Sequence, residues 1–465
     1  MRPTLEYARL FARFQRNARL YLINNALSGV TAGILLILYN LYLVSLGYRA
    51  DFVGFVLFAV TIGGGIAIFP AGICVDRFSG KAILIWSNLL IGLAGAGQIL
   101  FRQPAPLLVS GFLEGVGFAF ILVINAPFLT RNSSPEERPH LFSMNISLGL
   151  ITLVIGEILG GALPVWFRSI HWLMAPLPGW ASSMLASQPD PRSYQLALLF
   201  AGLIAAPSLV PLFMLRDNRA ARSDTSIPSR PLSQQAIEVI RSLRQRARAN
   251  ITRAHFNALS RSPFFILMLV YILTGLGAGL FIPYFNIYFV QHLRASPALF
   301  GLIDGSANAL TALTTLAAPL LAARIGRVNT IALTRLLSLP LLLVIGLTGV
   351  LPLAALLYPF RQGVMDMSNG VLQVYSMEVV SEQYRGLANS SYQAAYQVPW
   401  AISASLGGVI IVQLGGYPPV FLLGALCYIL AIVVLWVRFG RNQDHVDINK
   451  QPSSPLPQET IAHTL

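Results

Sequence analysis

The sequence predicts an all-α membrane protein whose twelve transmembrane helices form two six-helix bundles related by a pseudo-twofold axis. Three observations predict this architecture. Of the 465 residues, 55% are hydrophobic and only 11% are charged, which lies well outside the composition of soluble domains. Charged residues and prolines divide the apolar sequence into runs close to the ~20 residues that cross a bilayer. Finally, the two halves of the chain repeat each other.

The predicted spans are joined by short polar connections, apart from one long loop in the middle of the chain. They comprise residues 20–46, 53–75, 82–101, 107–129, 141–166, 194–215, 264–289, 298–321, 330–350, 353–377, 387–413 and 420–439. The predicted organisation is an N-terminal segment 1–19, a first bundle 20–215, a linker 216–263, a second bundle 264–439 and a tail 440–465. We expect the polar tail to be disordered.

The formal net charge of +14 follows a membrane topology rather than a nucleic-acid site. Of the 32 Lys and Arg residues, 25 lie in the N-terminal segment, in alternate loops and in the tail, five lie in the opposite loops and two lie within spans. An excess of basic residues in the loops of one side predicts that this side is cytoplasmic. The sequence therefore predicts a multi-pass protein of the cytoplasmic (inner) membrane with both termini in the cytoplasm, and no nucleic-acid partner.

Two basic segments outside the spans contain apolar residues. In the N-terminal segment, five arginines accompany Leu10, Phe11 and Phe14, which is compatible with an amphipathic segment on the anionic inner leaflet or with a topogenic tail. In the central loop, apolar or small residues recur every three or four positions from Ile237 to Ala258 and predict a basic amphipathic helix on the cytoplasmic surface. This helix is either a latch between the bundles or, the interpretation that we favour, a linker.

The internal repeat is visible at glycine and polar positions, where apolar sequences do not match by accident. The offset between the two copies is 246 residues in the first span and 247 residues from the second span onwards. Matched pairs are Asn40 with Asn286, Gly54 with Gly301, Arg77 with Arg324, Arg138 with Arg385, and Gly160-Gly161 with Gly407-Gly408. A constant offset across five spans predicts a six-span unit duplicated in parallel orientation. The duplicated asparagines are predicted to be structural.

The connection between spans 2 and 3 carries the sequence PAGICVDRFSGK at Pro70–Lys81. About six polar residues join two membrane-length runs here, so the two spans form a helical hairpin, and Gly72 is predicted to let another helix approach closely. The motif resembles the Gly-x-x-x-Asp-Arg-x-Gly-Arg-Lys loop of the major facilitator superfamily. The matching positions are Gly72, Asp76, Arg77 and Lys81. A charged hairpin tip is also compatible with a topogenic stop, but the six-span duplication extends the resemblance over nearly the whole chain.

The resemblance implies a charge network that holds the cytoplasmic ends of the two halves together when the central cavity faces outwards, and that parts when the cavity faces inwards. Asp76, Arg77, Glu137 and Arg138 form this network in the resemblance, and the residues predicted for the whole cytoplasmic gate are Gly72, Asp76, Arg77, Lys81, Glu137, Arg138, Arg324, Arg327, Glu382 and Arg385. In the second copy of the motif, Ala323 stands where the aspartate is expected. We therefore expect a one-sided lock, centred on the first half against the start of the eleventh span.

Five ionisable residues are predicted to carry function, because a charge within a span is costly. Glu114 lies in span 4, Glu157 in span 5, Asp304 in span 8, and Arg361 and Asp366 in span 10. A rise of ~1.5 Å per residue places Asp366 near mid-membrane and the other four residues about 9–13 Å below the external surface. Because Glu114 and Arg361 are equivalent in the repeat, we predict that they face each other across the pseudo-twofold axis. Glu157 and Asp304 are predicted to lie nearby.

Glu114 and Glu157 are candidates for carrying a coupling proton, because a carboxylate in surroundings of low dielectric constant is protonated more readily. The alternative is an outer salt bridge that only closes the periplasmic gate. Two departures weaken the resemblance to the drug–proton antiporters of the superfamily. Gly111 replaces an arginine in span 4, and Glu157 replaces the proline of their Gly-Pro-x-x-Gly-Gly motif in span 5. An additional acid in a cavity helix would nevertheless suit a cationic cargo.

Polar and aromatic residues within the spans are further candidates for lining a central cavity. They are Asn25, Asn125, Asn308, Gln373, Tyr392, Gln397 and Trp400. Most such residues in a helix bundle form interhelical hydrogen bonds instead, so we expect fewer than half of them to face the cavity.

Together, these features predict a secondary active transporter that moves a small solute by alternating access, with a proton or other ion gradient as its energy source and no bound cofactor. We favour efflux of a small organic or amphipathic compound. Import of a sugar or organic acid by proton symport, lipid flipping, and a non-transporting receptor or chaperone role are the alternatives. The sequence has no GxxxxGK[ST] loop, metal-ligand cluster or nucleophile constellation, which argues against ATP-driven transport and enzymatic activity. We expect a monomer surrounded by membrane lipid.

Overall fold

The computed structural model describes residues 11, 14–134, 136–182, 184–216, 262–380 and 385–440. Within these ranges all regular structure is helical. The predicted amphipathic helix of the central loop, the predicted tail after residue 440, and Glu382 lie outside the described residues, as do the side chains of Asp76 and Arg385.

The first half of the chain folds into six long helices. They are α1 (Arg16–Ser45), α2 (Ala50–Arg77), α3 (Gly80–Leu100), α4 (Pro104–Arg131), α5 (Arg138–Ser169) and α6 (Pro189–Phe213). A 3₁₀ turn at Ala206–Ser208 interrupts α6. Two short helical turns, His171–Met174 and Gly179–Ser182, lie between α5 and α6.

The second half contains the corresponding six helices. They are α7 (Pro263–His292), α8 (Pro297–Ile325), α9 (Arg327–Leu347), α10 (Leu351–Asp366 and Asn369–Glu378), α11 (Arg385–Gln413) and α12 (Pro418–Phe439). A 3₁₀ turn at Ile282–Tyr284 interrupts α7, which ends in a π-helical turn at Tyr288–His292. The chain therefore has the two-by-six arrangement that the internal repeat predicts.

Eleven helices in the described part of the chain are long and apolar enough to cross a membrane. The exception is α10, which the sequence predicts as one continuous span and the structure divides at Met367-Ser368. Near the break, Ser368 Oγ donates to the Met365 carbonyl (3.3 Å) and Asn369 Nδ2 donates to Asp366 Oδ1 (3.1 Å). Side-chain hydrogen bonds of this kind compete with the helical pattern and bend it. The two segments together fill the place of the tenth span.

The starts of the helices follow local sequence signals. Ser79, Ser262 and Ser296 precede α3, α7 and α8, and each side chain accepts a hydrogen bond from the backbone N–H three residues later. Proline occupies the first turn of α4, α6, α7, α8 and α12, where a missing N–H removes no helical bond. These signals determine where the chain turns between consecutive spans.

The helix ends lie on two faces, which we call the terminal face, where α1 begins and α12 ends, and the opposite face. One hydrophobic core contains residues of both halves, among them Ile37 and Phe285, and lies towards the opposite face. Two further cores lie towards the terminal face. One surrounds Leu84 in the first half, and the other surrounds Ile331 in the second half. The halves therefore share a core at the opposite face and have separate cores at the terminal face.

Two close glycine contacts join the halves near the opposite face. A Cβ atom built on Gly161 of α5 would lie 3.2 Å from the Cα atom of Gly301 in α8. At the second contact, a Cβ atom on Gly408 of α11 would overlap the Ala50 carbonyl oxygen of α2, and Gly54 meets the same helix α11. The 247-residue offset relates Gly54 to Gly301 and Gly161 to Gly408, so the two contacts are equivalent in the repeat. Only glycine lets the backbones approach this closely.

The duplicated asparagines also join the halves. Asn40 Nδ2 of α1 donates to the Pro283 carbonyl of α7 (2.8 Å), and Asn286 Nδ2 of α7 donates to the Ile37 carbonyl of α1 (3.2 Å). Each asparagine thus satisfies a backbone group of the other half. The structural role predicted for this pair is confirmed, and the reciprocal bonds follow the pseudo-twofold axis.

Candidate functional site

Two carboxylic acids lie buried at the boundary between the halves. Glu157 of α5 is fully buried and Asp304 of α8 is 8% exposed. Each acid is about one helical turn from the glycine contact, since Glu157 precedes Gly161 and Asp304 follows Gly301. A Cβ atom built on the next residue, Gly305, would lie 3.8 Å from Glu157 Oε2. The close approach of α5 and α8 therefore brings the two acids together, and their charges interact.

The donors to both acids come from the second half. Asn308 Nδ2 donates to Glu157 Oε1 (2.7 Å), and Gln362 Nε2 of α10 donates to Asn308 Oδ1 (2.8 Å). Tyr358 of α10 donates its hydroxyl proton to Asp304 Oδ1 (2.7 Å). The second carboxylate oxygen of Glu157, Oε2, is buried without a hydrogen-bond partner. This oxygen can accept a proton or a polar group of a ligand without breaking an existing bond.

Arg361 lies in an aromatic environment inside the second half. It is 3% exposed, and its guanidinium carbon lies 5.1 Å from the ring centre of Phe281 and 5.9 Å from that of Phe285. Stacking of a cation on aromatic faces offsets part of the cost of burying the charge. Two of its nitrogens, Nε and Nη2, are buried without a hydrogen-bond partner. Asp366 lies within electrostatic range of the guanidinium group.

Glu114 and Arg361, which are predicted to face each other, each have their described partners within their own half. Gln98 Nε2 of α3 donates to Glu114 Oε2 (2.5 Å), so the acid is bonded within the first half. Its electrostatic neighbour on α1 is Tyr39, and the 246-residue offset relates that tyrosine to Phe285, a ring beside Arg361. The repeat therefore gives the two residues equivalent surroundings, each against the first helix of its own half, instead of bringing them into contact.

The structure adds residues to which the sequence analysis gives no role. Arg335 of α9 is buried, and it donates to Thr274 Oγ1 of α7 (3.1 Å) and to Asn369 Oδ1 of α10 (3.4 Å). The presence of a charged residue within span 9 was the signal by which the sequence could have identified Arg335. On α10, Tyr358 and Gln362 are four residues apart and Arg361 lies between them. This helical spacing indicates one polar face on that helix.

Two of the predicted cavity residues serve as packing contacts within one half. Asn25 Nδ2 of α1 donates to Asn145 Oδ1 of α5 (2.9 Å). Tyr392 packs within the second half, where its side chain is only 2% exposed and its ring lies 5.1 Å from the rings of Phe264 and Tyr271. A tyrosine in an apolar helix suits a core as well as a cavity, and the sequence alone does not distinguish the two.

The other predicted cavity residues differ in exposure. Asn308 belongs to the acid site, as described above. Gln373 and Gln397 are exposed, and Trp400 is half-buried against the core that both halves share. Asn125 of α4 is half-buried, and its Oδ1 atom has no hydrogen-bond partner.

The described gate residues of the first half make contacts within that half. Lys81 Nζ donates to the Phe213 and Leu215 carbonyls at the end of α6 (2.7 and 2.8 Å), where a cation also opposes the helix dipole. Glu137 forms a local turn, because its backbone N–H donates to Ser134 Oγ (3.3 Å). Arg77 is exposed at the end of α2, and Arg138 is half-buried.

Gly72 lies in open space. A Cβ atom built on it would have no neighbour within 4 Å among the described residues, and the predicted close approach of another helix is not seen among them. In the second half, Arg327 forms an ion pair with Glu378, and Arg324 is exposed. The start of the eleventh span, against which the lock is expected, lies partly outside the described residues. The charge network across that face stays a prediction.

Groups of three or more His, Cys, Asp or Glu side chains that could hold a metal ion are absent from the described residues. The acid site therefore contains two carboxylates, with amide and phenol donors around them. Such a set of groups can exchange a proton, and it can bind a cation or an amine through charge and hydrogen bonds.

Comparison with known proteins gives a consistent result. A sequence model of the Major Facilitator Superfamily matches residues 21–269 and 267–462. A search of curated protein sequences found no match.

Solved structures share the fold at low sequence identity. A bacterial homologue of the iron transporter ferroportin, in an inward-facing state, is 18% identical, with a TM-score of 0.66 over 91% of this chain and 98% of that one. A D-xylose–proton symporter is 15% identical, with a TM-score of 0.63 over 90% and 97% of the two chains. A bacterial homologue of the human lysosomal transporter Spinster, inward-facing and unoccupied, is 13% identical, with a TM-score of 0.62 over 93% and 95%.

Proposed function

Because the chain belongs to the major facilitator superfamily, we propose that it is a secondary active transporter that moves a small solute by alternating access and is coupled to protons. Membership of this superfamily places it among transporters rather than enzymes. The observation that carries the proposal is the acid pair Glu157–Asp304. These acids lie where the two halves must move against each other, and a donor from one half binds an acid of the other.

The proposed conformation is open to the cytoplasm. The halves share a core and close glycine contacts at the opposite face, and they have separate cores at the terminal face. The excess of basic residues in the terminal-face loops supports a cytoplasmic location for that face. In this orientation both termini are cytoplasmic, and a solute reaches the site from the cytoplasm.

The acid pair supports proton coupling on electrostatic grounds. Two buried carboxylates in one site repel each other when both are ionised, and a shared proton removes the repulsion. The packed contact of α5 and α8 is then favoured when the pair holds a proton. Exchange of the proton for a cationic cargo keeps the charge of the pair balanced but places a larger group beside the contact of α5 and α8, which favours parting of the halves at the opposite face.

Efflux of an amphipathic cation fits this site better than import. A positively charged or amine-bearing compound can replace the proton beside Glu157 Oε2, which has no hydrogen-bond partner. The exchange would couple proton entry to cargo exit. Proton symport of an organic acid is the second candidate. It is favoured by one observation, the two buried nitrogens of Arg361 that lack hydrogen-bond partners.

Purified protein in proteoliposomes with an acidic lumen and trapped pyranine tests the proposal. Ethidium, a permanently charged cation, is added outside, and organic acids, sugars and nucleosides are added in parallel. Antiport should raise the pH of the lumen when ethidium is added, and symport of an organic acid should lower it. Protein-free vesicles report passive leakage.

Variants of the acids decide the coupling. Glu157→Gln and Asp304→Asn should abolish the proton movement, whereas Glu114→Gln, which changes an acid bonded within the first half, should retain it. If both site variants keep the proton movement of the native protein, this site does not couple protons. If Glu114→Gln alone abolishes it, the proton is carried on α4.

A further inference from the structure

A cleft of about 550 Å³ opens between α9 and α12. Its lining is almost entirely apolar and includes Ala332, Leu333, Ile432, Val433 and Trp436. Several of these side chains are exposed, among them Leu333 at 41% and Trp436 at 46%. On a helix bundle in a membrane, such a cleft opens towards the lipid, so its natural occupant is apolar.

The cleft lies at the terminal-face ends of α9 and α12. It extends from Asn329 to Leu336 along α9, beginning two residues from the start of that helix. At the helical rise this is about 10 Å measured inwards from the terminal face. Trp436 lies three residues from the end of α12. Tryptophan is enriched at this level, where an apolar ring and an indole N–H both find partners.

Basic residues flank the cleft at the terminal face. Arg324 immediately precedes the lining residue Ile325, and Arg438 follows the lining residue Val437; both arginines are exposed. Arg327 begins α9 and is paired with Glu378. Among the described residues named here, three arginines accompany one acid, Glu378. An apolar cleft with a cationic rim complements an acyl chain that carries an anionic headgroup.

The first half differs at two of the equivalent positions. Lys81 reaches across from α3 to the carbonyls at the end of α6, and the 247-residue offset relates it to Val328, which is buried. The same offset relates Leu333 to Trp86, which is 72% exposed. The first half thus has Lys81 and the indole ring of Trp86 at these positions. The second half has Val328 and Leu333 there, beside the apolar cleft.

We propose that this cleft binds one anionic diacyl phospholipid, with an acyl chain between α9 and α12 and the phosphate near Arg324 and Arg438. The site is separate from the acid pair, so the proposal does not depend on the transported solute or on proton coupling. It assigns the α9–α12 face as a specific lipid site, in contrast to the general lipid contact of the other outer surfaces.

Native mass spectrometry of the delipidated protein tests the site. Phosphatidylglycerol and phosphatidylethanolamine with identical acyl chains are titrated separately, and glycerol phosphate serves as a headgroup without chains. We expect one phosphatidylglycerol to bind about tenfold more tightly than phosphatidylethanolamine, because two arginines act on its phosphate in the absence of a compensating amine. Glycerol phosphate should not bind, since it lacks the chains that fill the cleft.

Two sets of variants separate the apolar and charged parts of the site. Leu333→Trp fills the cleft with the residue that the first half has at the equivalent position, and it should remove the tight lipid. Leu93→Trp, at a side chain of α3 that is 72% exposed, is the matched control and should retain it. The double variant Arg324→Gln with Arg438→Gln changes only exposed side chains and should abolish the preference for phosphatidylglycerol.

Three results would overturn the proposal. Equal binding of the two lipids by the native protein would exclude recognition of the anionic headgroup. Equal retention of phosphatidylglycerol by Leu333→Trp and Leu93→Trp would place the lipid elsewhere. An unchanged lipid preference in the double arginine variant would remove the assigned headgroup contact, and this variant decides the matter even if Leu333→Trp does not fold.

Discussion

Asn308 of α8 donates a 2.7 Å hydrogen bond to Glu157 of α5, and this bond joins the two halves of the protein at a buried acid. The donor is itself held by Gln362 of α10, so the second half supplies a small network and the first half supplies the carboxyl group. A movement that parts α5 from α8 must break the bond to the acid. The bond therefore links the acid site to the packing of the two halves.

Replacing Asn308 by leucine removes this donor at similar side-chain size. We expect the free energy of unfolding to fall by about 1–2 kcal/mol, because Glu157 Oε1 is left buried without a donor. Gln362→Leu is the matched control, since its amide donates to Asn308 and not to an acid, and it should cost less. Chemical unfolding in detergent micelles, followed by tryptophan fluorescence, compares the two. Equal losses would mean that the bond to the acid has no special weight.

The glycine contact beside the acids should tolerate no added carbon. A Cβ atom at Gly301 would lie 2.5 Å from the Glu157 carbonyl oxygen and 3.1 Å from the Cα atom of Gly161. We expect Gly301→Ala to disfavour the packed opposite face by about 1–3 kcal/mol, because two backbones must move apart. Gly65→Ala is the control, since a Cβ atom there has no neighbour within 4 Å.

Double electron–electron resonance measures this change directly. Spin labels at Gln103 and Val350, exposed residues in loops of the opposite face that are equivalent in the repeat, report the separation of the halves. The native cysteines, Cys74 and Cys427, are replaced by alanine beforehand. The distance should lengthen in Gly301→Ala and stay unchanged in Gly65→Ala. A native distance in both would show that the α5–α8 contact does not hold the opposite face closed.

The fold could be predicted from the sequence because two independent signals determine it. Hydropathy gives the spans, and the constant offset at glycine and asparagine positions gives the symmetry. Gly54 and Gly301, matched in the repeat, lie in equivalent contacts between the halves. The same reasoning also gives the proximity of Glu157 and Asp304, since both lie near those contacts. The sequence thus determines well how far along its helix each residue lies.

The direction in which a side chain points is less well determined. In a soluble helix the apolar face marks the core, but in a membrane helix both the core side and the lipid side are apolar. The sequence could not show that Tyr392 faces its own core or that Glu114 faces α3. The division of α10 was missed for a related reason, since Ser368 and Asn369 act through hydrogen bonds that a hydropathy pattern does not record.

Gly72 provides a prediction about the terminal face. In this conformation a Cβ atom there has no neighbour within 4 Å in the described part of the chain, so Gly72→Leu should leave the free energy of unfolding within about 0.5 kcal/mol of the native value. If the terminal face closes by bringing another helix to this point, leucine will prevent closure. Spin labels at the exposed residues Phe78 and Ala323 should then show only the longer of the native separations.

The control for this experiment is Gly92→Leu, at a position on α3 that also has no neighbour within 4 Å. It should show the native distribution of distances. A native distribution in Gly72→Leu as well would mean that the hairpin tip is not approached when the terminal face closes, and that the glycine of the motif serves another purpose.

The relationship between Glu114 and Arg361 yields the last prediction. Their opposite charges and equivalent positions suggest a pair, but Glu114 accepts from Gln98, and Arg361 stacks on Phe281. Residues without a common partner have additive effects, so Glu114→Gln and Arg361→Gln together should change the free energy of unfolding by the sum of the single changes, within about 0.5 kcal/mol.

A second double-mutant cycle supplies the positive control. Glu114→Gln combined with Gln98→Leu should deviate from additivity by about 0.5–3 kcal/mol, because these side chains share a hydrogen bond. Both cycles use the same Glu114 variant and the same unfolding measurement, so they differ only in the proposed partner. If the coupling to Arg361 exceeded the coupling to Gln98, the acid would face the second half, and α4 would have to rotate from the orientation described above. Additivity with Arg361 leaves Glu157 as the acid of the first half that lies beside the second half.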